Sequence, residues 1–302
     1  MKQPILSIIV PTRDNIESLE TGFLLSVVNN TYNLNNIELV FVVDKDDKKT
    51  IDFLSNNQAL KKLTFLKILK RERSTNITKD YYTYGAQKSN GFFVMVGADD
   101  IQITTPLYDK ILEKMKHGII QKEGSGKKYF LLVQTIGCAA AGDAGACPFP
   151  IITRDSINLL GYFLAPEIIP GWGPDWYIHK IYNTLHKVAL PATPINIRHV
   201  SKHSGDTTQN VEARYSKMAA ISHAALNCKH NPKVYVEMVR AIFLIIAENT
   251  EQYTPAVLYE AFSTDELISE NVKGAAPGTN CPDIFLKMLW GIQQTLHDNL
   301  NR

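Results

Sequence analysis

Short apolar runs alternate with polar–apolar mixtures through the first hundred residues of the chain. Residues 5–10, 37–43, 63–69 and 92–96 are brief and rich in β-branched or aromatic side chains, the pattern of buried strands. Between them, residues 16–29, 50–56 and 78–89 mix polar and apolar positions at helical spacing. Strands alternating with helices predict an α/β fold: a Rossmann-like, mostly parallel sheet flanked by helices. Ligands of such sheets gather beyond the carboxyl ends of the strands, so the residues that follow each run carry the most weight.

Beyond residue 100 the alternation loosens. Pro106 predicts a helix that it opens and that ends near Lys116, with proline at the first helical position. Residues 117–128 hold Gly118, Gly124, Gly126 and several lysines and read as a loop, and residues 129–135 read as a further strand. Residues 137–145 are nearly all small, so the backbone there can approach a ligand or a neighbouring strand closely. From about Gln209 the pattern is helical. In residues 282–299, Ile284, Phe285, Met288, Leu289, Ile292 and Leu296 form one apolar stripe. The expected organisation is an α/β domain over 1–208 and a helical C-terminal region over 209–302. The stripe is expected to pack within the chain, with a homodimer through these helices as the alternative.

Composition narrows the class. An apolar content of 45% and a charged content of 21% exclude global disorder, and a net charge of +2 is too small to point to nucleic acid. Cys138, Cys147, Cys228 and Cys281 have no CxxC spacing, which predicts free thiols and no zinc site. The first apolar run is too short for a signal peptide, and the greasiest stretch, residues 241–247, is far below the roughly 20 residues that span a bilayer. These features predict a cytoplasmic protein without a transmembrane segment, with peripheral contact at the inner face of a membrane left open.

Three strand ends deliver polar groups to one edge of the predicted sheet: Pro11, Thr12, Arg13 and Asp14; then Asp44, Lys45, Asp46 and Asp47; then Ala98, Asp99 and Asp100. Adjacent carboxylates such as Asp99 and Asp100 repel unless water or a cation compensates them. Hard oxygen ligands suit Mg2+ or Mn2+, bound through one or two carboxylates plus substrate phosphates. A turn and helix cap ahead of Thr104 and Thr105 is the simpler alternative. Further on, a Gly/Pro loop delivers Asp175 between Trp172 and Trp176 at a helix start. Such a carboxylate either caps the helix or takes a proton from an acceptor hydroxyl while a tryptophan stacks on a sugar face. His199 and His203 stand four apart, without the further ligands that zinc needs.

These residues resemble glycosyltransferase family 2. Residues 7–14 look like that family's opening strand and loop, and Val42, Val43 and Asp44 resemble its second strand end. Gly85 and Ala86, then residues 89–94, are similar to the passage into its DxD motif, here Gly97, Ala98 and Asp99 followed by Asp100. The sequence departs from the family in carrying Gly97 at the first motif position and Pro174 before Asp175. The resemblance implies a GT-A fold, with a nucleotide-sugar half over 1–103 and an acceptor half over 104–208. It also implies a nucleoside diphosphate sugar as donor, a UDP-sugar being favoured, and a glycan or other hydroxyl as acceptor. Pro11, Thr12, Arg13, Asp44, Ala98, Asp99 and Asp100 would bind the donor. Asp99, with His199 or His203, would hold Mn2+ or Mg2+, and Asp175 would be the base of an inverting transfer. A non-catalytic nucleotide- or carbohydrate-binding relative is the alternative, followed by a sugar nucleotidyltransferase. The latter is disfavoured because no glycine-rich loop follows the first strand, and the absence of GxGxxG and GxxxxGK[ST] weighs separately against dinucleotide and P-loop readings.

Overall fold

The four early apolar runs become strands β1 (Leu6–Thr12), β2 (Ile37–Asp44), β3 (Phe65–Arg71) and β4 (Phe93–Val96). The structure is a computed structural model and describes residues 3–136, 147, 149–169, 173–185, 187–200 and 232–249. All eight residues of β2 are buried, as a parallel strand covered on both faces requires. Five short strands follow: β5 (Ile101–Ile103), β6 (Leu132–Val133), β7 (Ile151–Thr153), β8 (Val188–Ala189) and β9 (Ile197–His199). A seven-stranded sheet runs in the order β3-β2-β1-β4-β7-β6-β8, and β5 pairs with β9 in a separate ribbon.

The chain builds outward from β1 through β2 to β3, then returns to place β4 on the other side of β1. Both neighbours of β1 are parallel to it, in registers that include Thr12↔Val43 and Ile9↔Val96. The order of strands therefore reverses at β1, and this is where an open α/β sheet forms a ligand crevice. Beyond β4 the sheet turns antiparallel, with β4 on β7 and β7 on β6.

Helix α1 (Ile16–Ser18) passes through a wide π-helical stretch, Leu19–Leu24, into α2 (Leu25–Asn30). Helix α3 (Lys48–Asn56) follows β2, and a second π-helical stretch, Thr78–Thr83, leads into α4 (Tyr84–Lys88). Then come α5 (Tyr108–Glu123), α6 (Arg154–Leu160) and α7 (Pro174–Thr184). At Gly85 a Cβ would lie 2.5 Å from the Ile9 methyl and 3.0 Å from a Val42 methyl, so only glycine lets α4 sit this close to the sheet. Two buried carboxylates tie neighbouring segments. Glu38 accepts hydrogen bonds from the Ser7 hydroxyl (2.5 Å) and the Asn90 amide (2.6 Å). Asp109 accepts from the Tyr32 amide (2.8 Å), the Asn33 amide (3.0 Å) and the Asn36 side chain (3.1 Å).

Three local expectations differ from the structure. Helix α5 starts at Tyr108 rather than at Pro106, because Leu107 has φ 58° and its amide donates to the Asn30 carbonyl (2.6 Å). The same helix runs on through Gly118 to Glu123, ending only at Gly124 with φ 94°. A single internal glycine costs about 1 kcal/mol, little against a helix whose other positions include the good helix formers Leu112, Glu113, Lys114, Met115, Lys116, Gln121 and Lys122. Of residues 129–135 only Leu132–Val133 is strand; Thr135 instead hydrogen-bonds the Phe149 carbonyl (3.1 Å) and contacts buried Cys147.

The chain divides into two compact units, Met1–Val211 and Glu212–Arg302. In the second, helix α8 (Pro232–Asn249) buries Val234, Met238, Ile242 and Ile245, spaced three or four apart along one face. The apolar stripe over 282–299 lies outside the described residues, as do Cys138, Cys228, Cys281 and the small-residue run. Among the described residues no helix is long and apolar enough to cross a membrane.

Candidate active site

Three strand ends meet where the strand order reverses. Just beyond β4, Asp99 accepts from the Thr12 hydroxyl at 2.8 Å and from the Asn15 side-chain amide at 3.0 Å, both contributed by the end of β1 and the loop after it. Burial pushes the Asp99 carboxyl up; hydrogen bonds from Thr12 and Asn15 act against this, and neighbouring Asp100 pushes it further. Among the described residues its side-chain hydrogen-bond partners, Thr12 and Asn15, are neutral. Asp100 lies 3.2 Å from Nε2 of His199, and the Val200 amide donates to the Asp100 carbonyl (2.6 Å). The pairing of β5 with β9, in which Ile101 faces His199, sets this contact.

The neighbouring end of β2 is organised around Arg13. Its guanidinium donates to Asp44 at 2.8 Å and to both oxygens of Asp46 at 2.7 and 3.1 Å. The other oxygen of Asp44, which is buried, accepts from the Tyr81 hydroxyl at 2.5 Å. Hydrogen bonding to Arg13 holds the Asp46 carboxyl below the ordinary carboxylate range. Asp47 caps α3 through the Thr50 amide (3.1 Å) and also accepts from the Asp14 amide (2.9 Å). Burial raises its carboxyl, but these bonds outweigh burial and leave it lowered.

Position 97, glycine where the family pattern has an acid, has a steric explanation. A Cβ there would lie 2.7 Å from an Ile8 methyl and 3.0 Å from the Ile9 carbonyl oxygen. The Gly97 amide donates to that same carbonyl at 2.9 Å, so β1 occupies the space that a side chain would need. The Gly97 carbonyl in turn accepts from the Tyr82 hydroxyl at 2.9 Å.

Asp175 stands in the first turn of α7, with Pro174 at the helix start and Gly173 (φ 86°) before it. Burial pushes the Tyr82 hydroxyl well up, and the charges of Asp99, Asp100 and Asp175 all add to the effect. Asp175 also adds to the rise that burial imposes on the Cys147 thiol. Asp175 thus lies within electrostatic reach of the residue that touches the Gly97 turn. Of the residues singled out in the sequence, the structure gathers Thr12, Arg13, Asp44, Asp99, Asp100 and His199 at the strand ends. Pro11 is half-buried within β1, Ala98 is half-buried in the turn, and Trp176 is half-buried in α7. Trp172 and His203 lie outside the described residues. Sequence reasoning marks Asp46 as part of the second strand end but gives it no role, and it misses Asn15, Tyr81 and Tyr82. Asn15 adjoins a motif already marked, whereas the tyrosines carry no linear signal.

The donor set fits a hard divalent cation: two adjacent carboxylates, one of them with only neutral side-chain partners among the described residues, and an imidazole beside the second. Among the described residues no group of three or more His, Cys, Asp or Glu side chains is gathered to hold a metal by itself. Phosphate and water oxygens would complete such a shell, as is usual for Mg2+ and Mn2+.

No family model and no curated protein matches the sequence. Solved structures do resemble the chain in backbone arrangement. S. aureus TarS 1–349 in complex with UDP aligns with TM-score 0.49 and 15% identity, over 89% of this chain and 75% of that one. The same protein in complex with UDP-GlcNAc gives 0.49 and 16%, over 89% and 76%. Mannosyltransferase PcManGT from Pyrobaculum calidifontis, in complex with GDP-Man and Mn2+, gives 0.46 and 12%, over 89% and 81%.

Proposed function

We propose that the chain is a glycosyltransferase that moves a sugar from a nucleoside diphosphate sugar, with a UDP-sugar favoured, to an acceptor hydroxyl, with inversion. The observation that supports this most is Asp99: a carboxylate at the sheet's switch point, fixed by Thr12 and Asn15, with Asp100 beside it and, among the described residues, only neutral side-chain partners. Asp99 and Asp100, with His199 or His203, would hold Mn2+ or Mg2+. When bound, the ion supplies a Lewis acid that neutralises charge on the departing diphosphate. Thr12, Arg13 and the network through Asp44 orient the nucleoside, with Pro11 and Ala98 flanking it. Asp175 accepts the acceptor's hydroxyl proton as that oxygen bonds to the anomeric carbon and the bond from that carbon to the diphosphate breaks. One displacement from the opposite face inverts the anomeric centre. Trp172 and Trp176 offer faces on which the acceptor sugar stacks.

The test is release of nucleoside diphosphate from UDP- and GDP-sugars with and without Mn2+, in wild type and in Asp175→Asn. The variant is expected to keep donor affinity and folding while turnover falls by roughly 10²–10⁴-fold, with loss of the acidic limb of the pH profile. Turnover that is indifferent to both metal and substitution would overturn the assignment. A non-catalytic sugar-nucleotide binder is the second reading, favoured by Gly97 at the first motif position and by Pro174, rather than an acid, before Asp175. It predicts binding with no turnover in any donor.

A further inference from the structure

The π-helical stretch Thr78–Thr83 sends two consecutive tyrosines to opposite sides of β1. Tyr81 reaches the end of β2, where its hydroxyl donates to Asp44 at 2.5 Å. Tyr82 reaches the turn beyond β4, where its hydroxyl donates to the Gly97 carbonyl at 2.9 Å. Strands β2 and β4 flank β1 in the sheet, so the two hydroxyls straddle the central strand and meet the site from one helix. Wide π turns of this kind recur at functional positions, where they re-aim side chains that an α-helix would present otherwise.

Each contact carries mechanical weight. Tyr81 is itself held, with the Arg71 guanidinium 4.9 Å from its ring centroid and the Ser74 amide donating to its oxygen at 3.0 Å. Gly97 has no side chain to anchor it, and β1 leaves no room for one. Its backbone is fixed by the amide on the Ile9 side and by the carbonyl on the Tyr82 side. Two residues later the chain delivers Asp99. Resting on the nucleotide-sugar reading, we infer that Tyr81 and Tyr82 are positioning residues with divided tasks. Tyr81 holds Asp44 for the nucleoside, and Tyr82 holds the Gly97 carbonyl and with it the turn that carries Asp99 and Asp100.

Separate tasks give separate signatures. Tyr81→Phe and Tyr82→Phe each remove one hydroxyl and keep the ring, so both variants are expected to melt within a few degrees of wild type. Binding is measured with UDP and GDP in the presence of Mn2+, and with the matching monophosphates in its absence. Tyr82→Phe is expected to weaken the diphosphate with Mn2+ by roughly three- to tenfold, the worth of one hydrogen bond, and to leave the monophosphate unchanged. Tyr81→Phe is expected to weaken both ligands by a similar factor, because the nucleoside is common to them. Equal losses for both ligands in Tyr82→Phe, or no loss in either, overturn the division of tasks. Failure of the functional reading looks different: wild type then binds no nucleoside diphosphate with Mn2+. In that event amide hydrogen exchange at Ala98, Asp99 and Asp100 decides, faster exchange in Tyr82→Phe supporting its role and unchanged exchange overturning it.

Discussion

Asp44, at the end of β2, and Asp99, just beyond β4, reach the same edge of the sheet on strands that flank β1. They differ in what answers their charge. Asp44 is buried between the Arg13 guanidinium and the Tyr81 hydroxyl, and Arg13 extends the same grip to Asp46. Asp99 receives a hydroxyl and a side-chain amide, and its carboxyl is raised where that of Asp46 is lowered. A carboxylate given a guanidinium has its charge answered within the protein and can serve a neutral ligand such as a nucleoside, but not a cation. One given only neutral donors is aimed and left with charge to share, which is what a site for a cation needs.

Substitution at the uncompensated end should have the largest effect on binding and the least on folding. Asp99→Asn is expected to lower Mn2+-supported affinity for a nucleoside diphosphate by more than about 100-fold, since even outer partners of metal ligands cost 10–100-fold. A carboxyl held above its ordinary value opposes folding once ionised. The neutral amide should therefore leave the metal-free melting temperature at pH 7 unchanged or higher; a clear fall would show that the charge is structural. Asp44→Asn should weaken the nucleotide by about tenfold, the scale of a hydrogen bond to a charged group. Calorimetry should find the same factor with and without Mn2+, whereas a loss confined to the metal-containing arm would erase the contrast between the two ends.

Asp47→Ala is a milder change on the compensated side. Removing the α3 cap should cost about 1 kcal/mol at pH 7 in denaturant unfolding. The Asp47 carboxyl is lowered in the fold, so its contribution is present above the ordinary aspartate range and is lost as pH falls through the lowered value. The gap between wild type and variant should accordingly close in acid, and a gap independent of pH would assign the effect to packing. The smallest effect is expected at Lys79→Ala, whose partner Glu167 is as exposed as Lys79 itself. Its melting temperature should match that of wild type, because pairs in solvent contribute little.

Much of the sheet was legible because buried parallel strands must be largely apolar runs, as β1, β2 and β4 are, while β3, at the sheet edge, keeps an apolar run broken by Lys67 and Lys70. Thr12, Arg13, Asp44 and Asp99 were legible as strand-end residues for the same reason. Their pairing was not. The backbone after β1 turns through Asp14 with φ 51°, sending Arg13 to the β2 side while Thr12 and Asn15 serve Asp99. No periodicity records that choice. Tyr81 and Tyr82 were hidden because π-helical turns break the 3.6-residue spacing on which helical faces are read. The shortness of β6 was set by contacts with distant segments, such as the pairing of Thr135 with residues 147 and 149.

Gly97 has a consequence for how this chain can change over generations. An acid at that position would need the space held by the Ile8 side chain. Trimming Ile8 to alanine first would empty a buried site at a cost of about 2–5 kcal/mol, from a total stability of about 5–15 kcal/mol for proteins in general. Introducing the acid first would force β1 off its neighbour. Either order crosses a destabilised intermediate, so single substitutions connect this motif to its acid-first form only at a cost in stability. The neighbouring strand favours glycine here, and change at the site is cheaper at Asp99, Asp100 and the groups that hold them than at position 97.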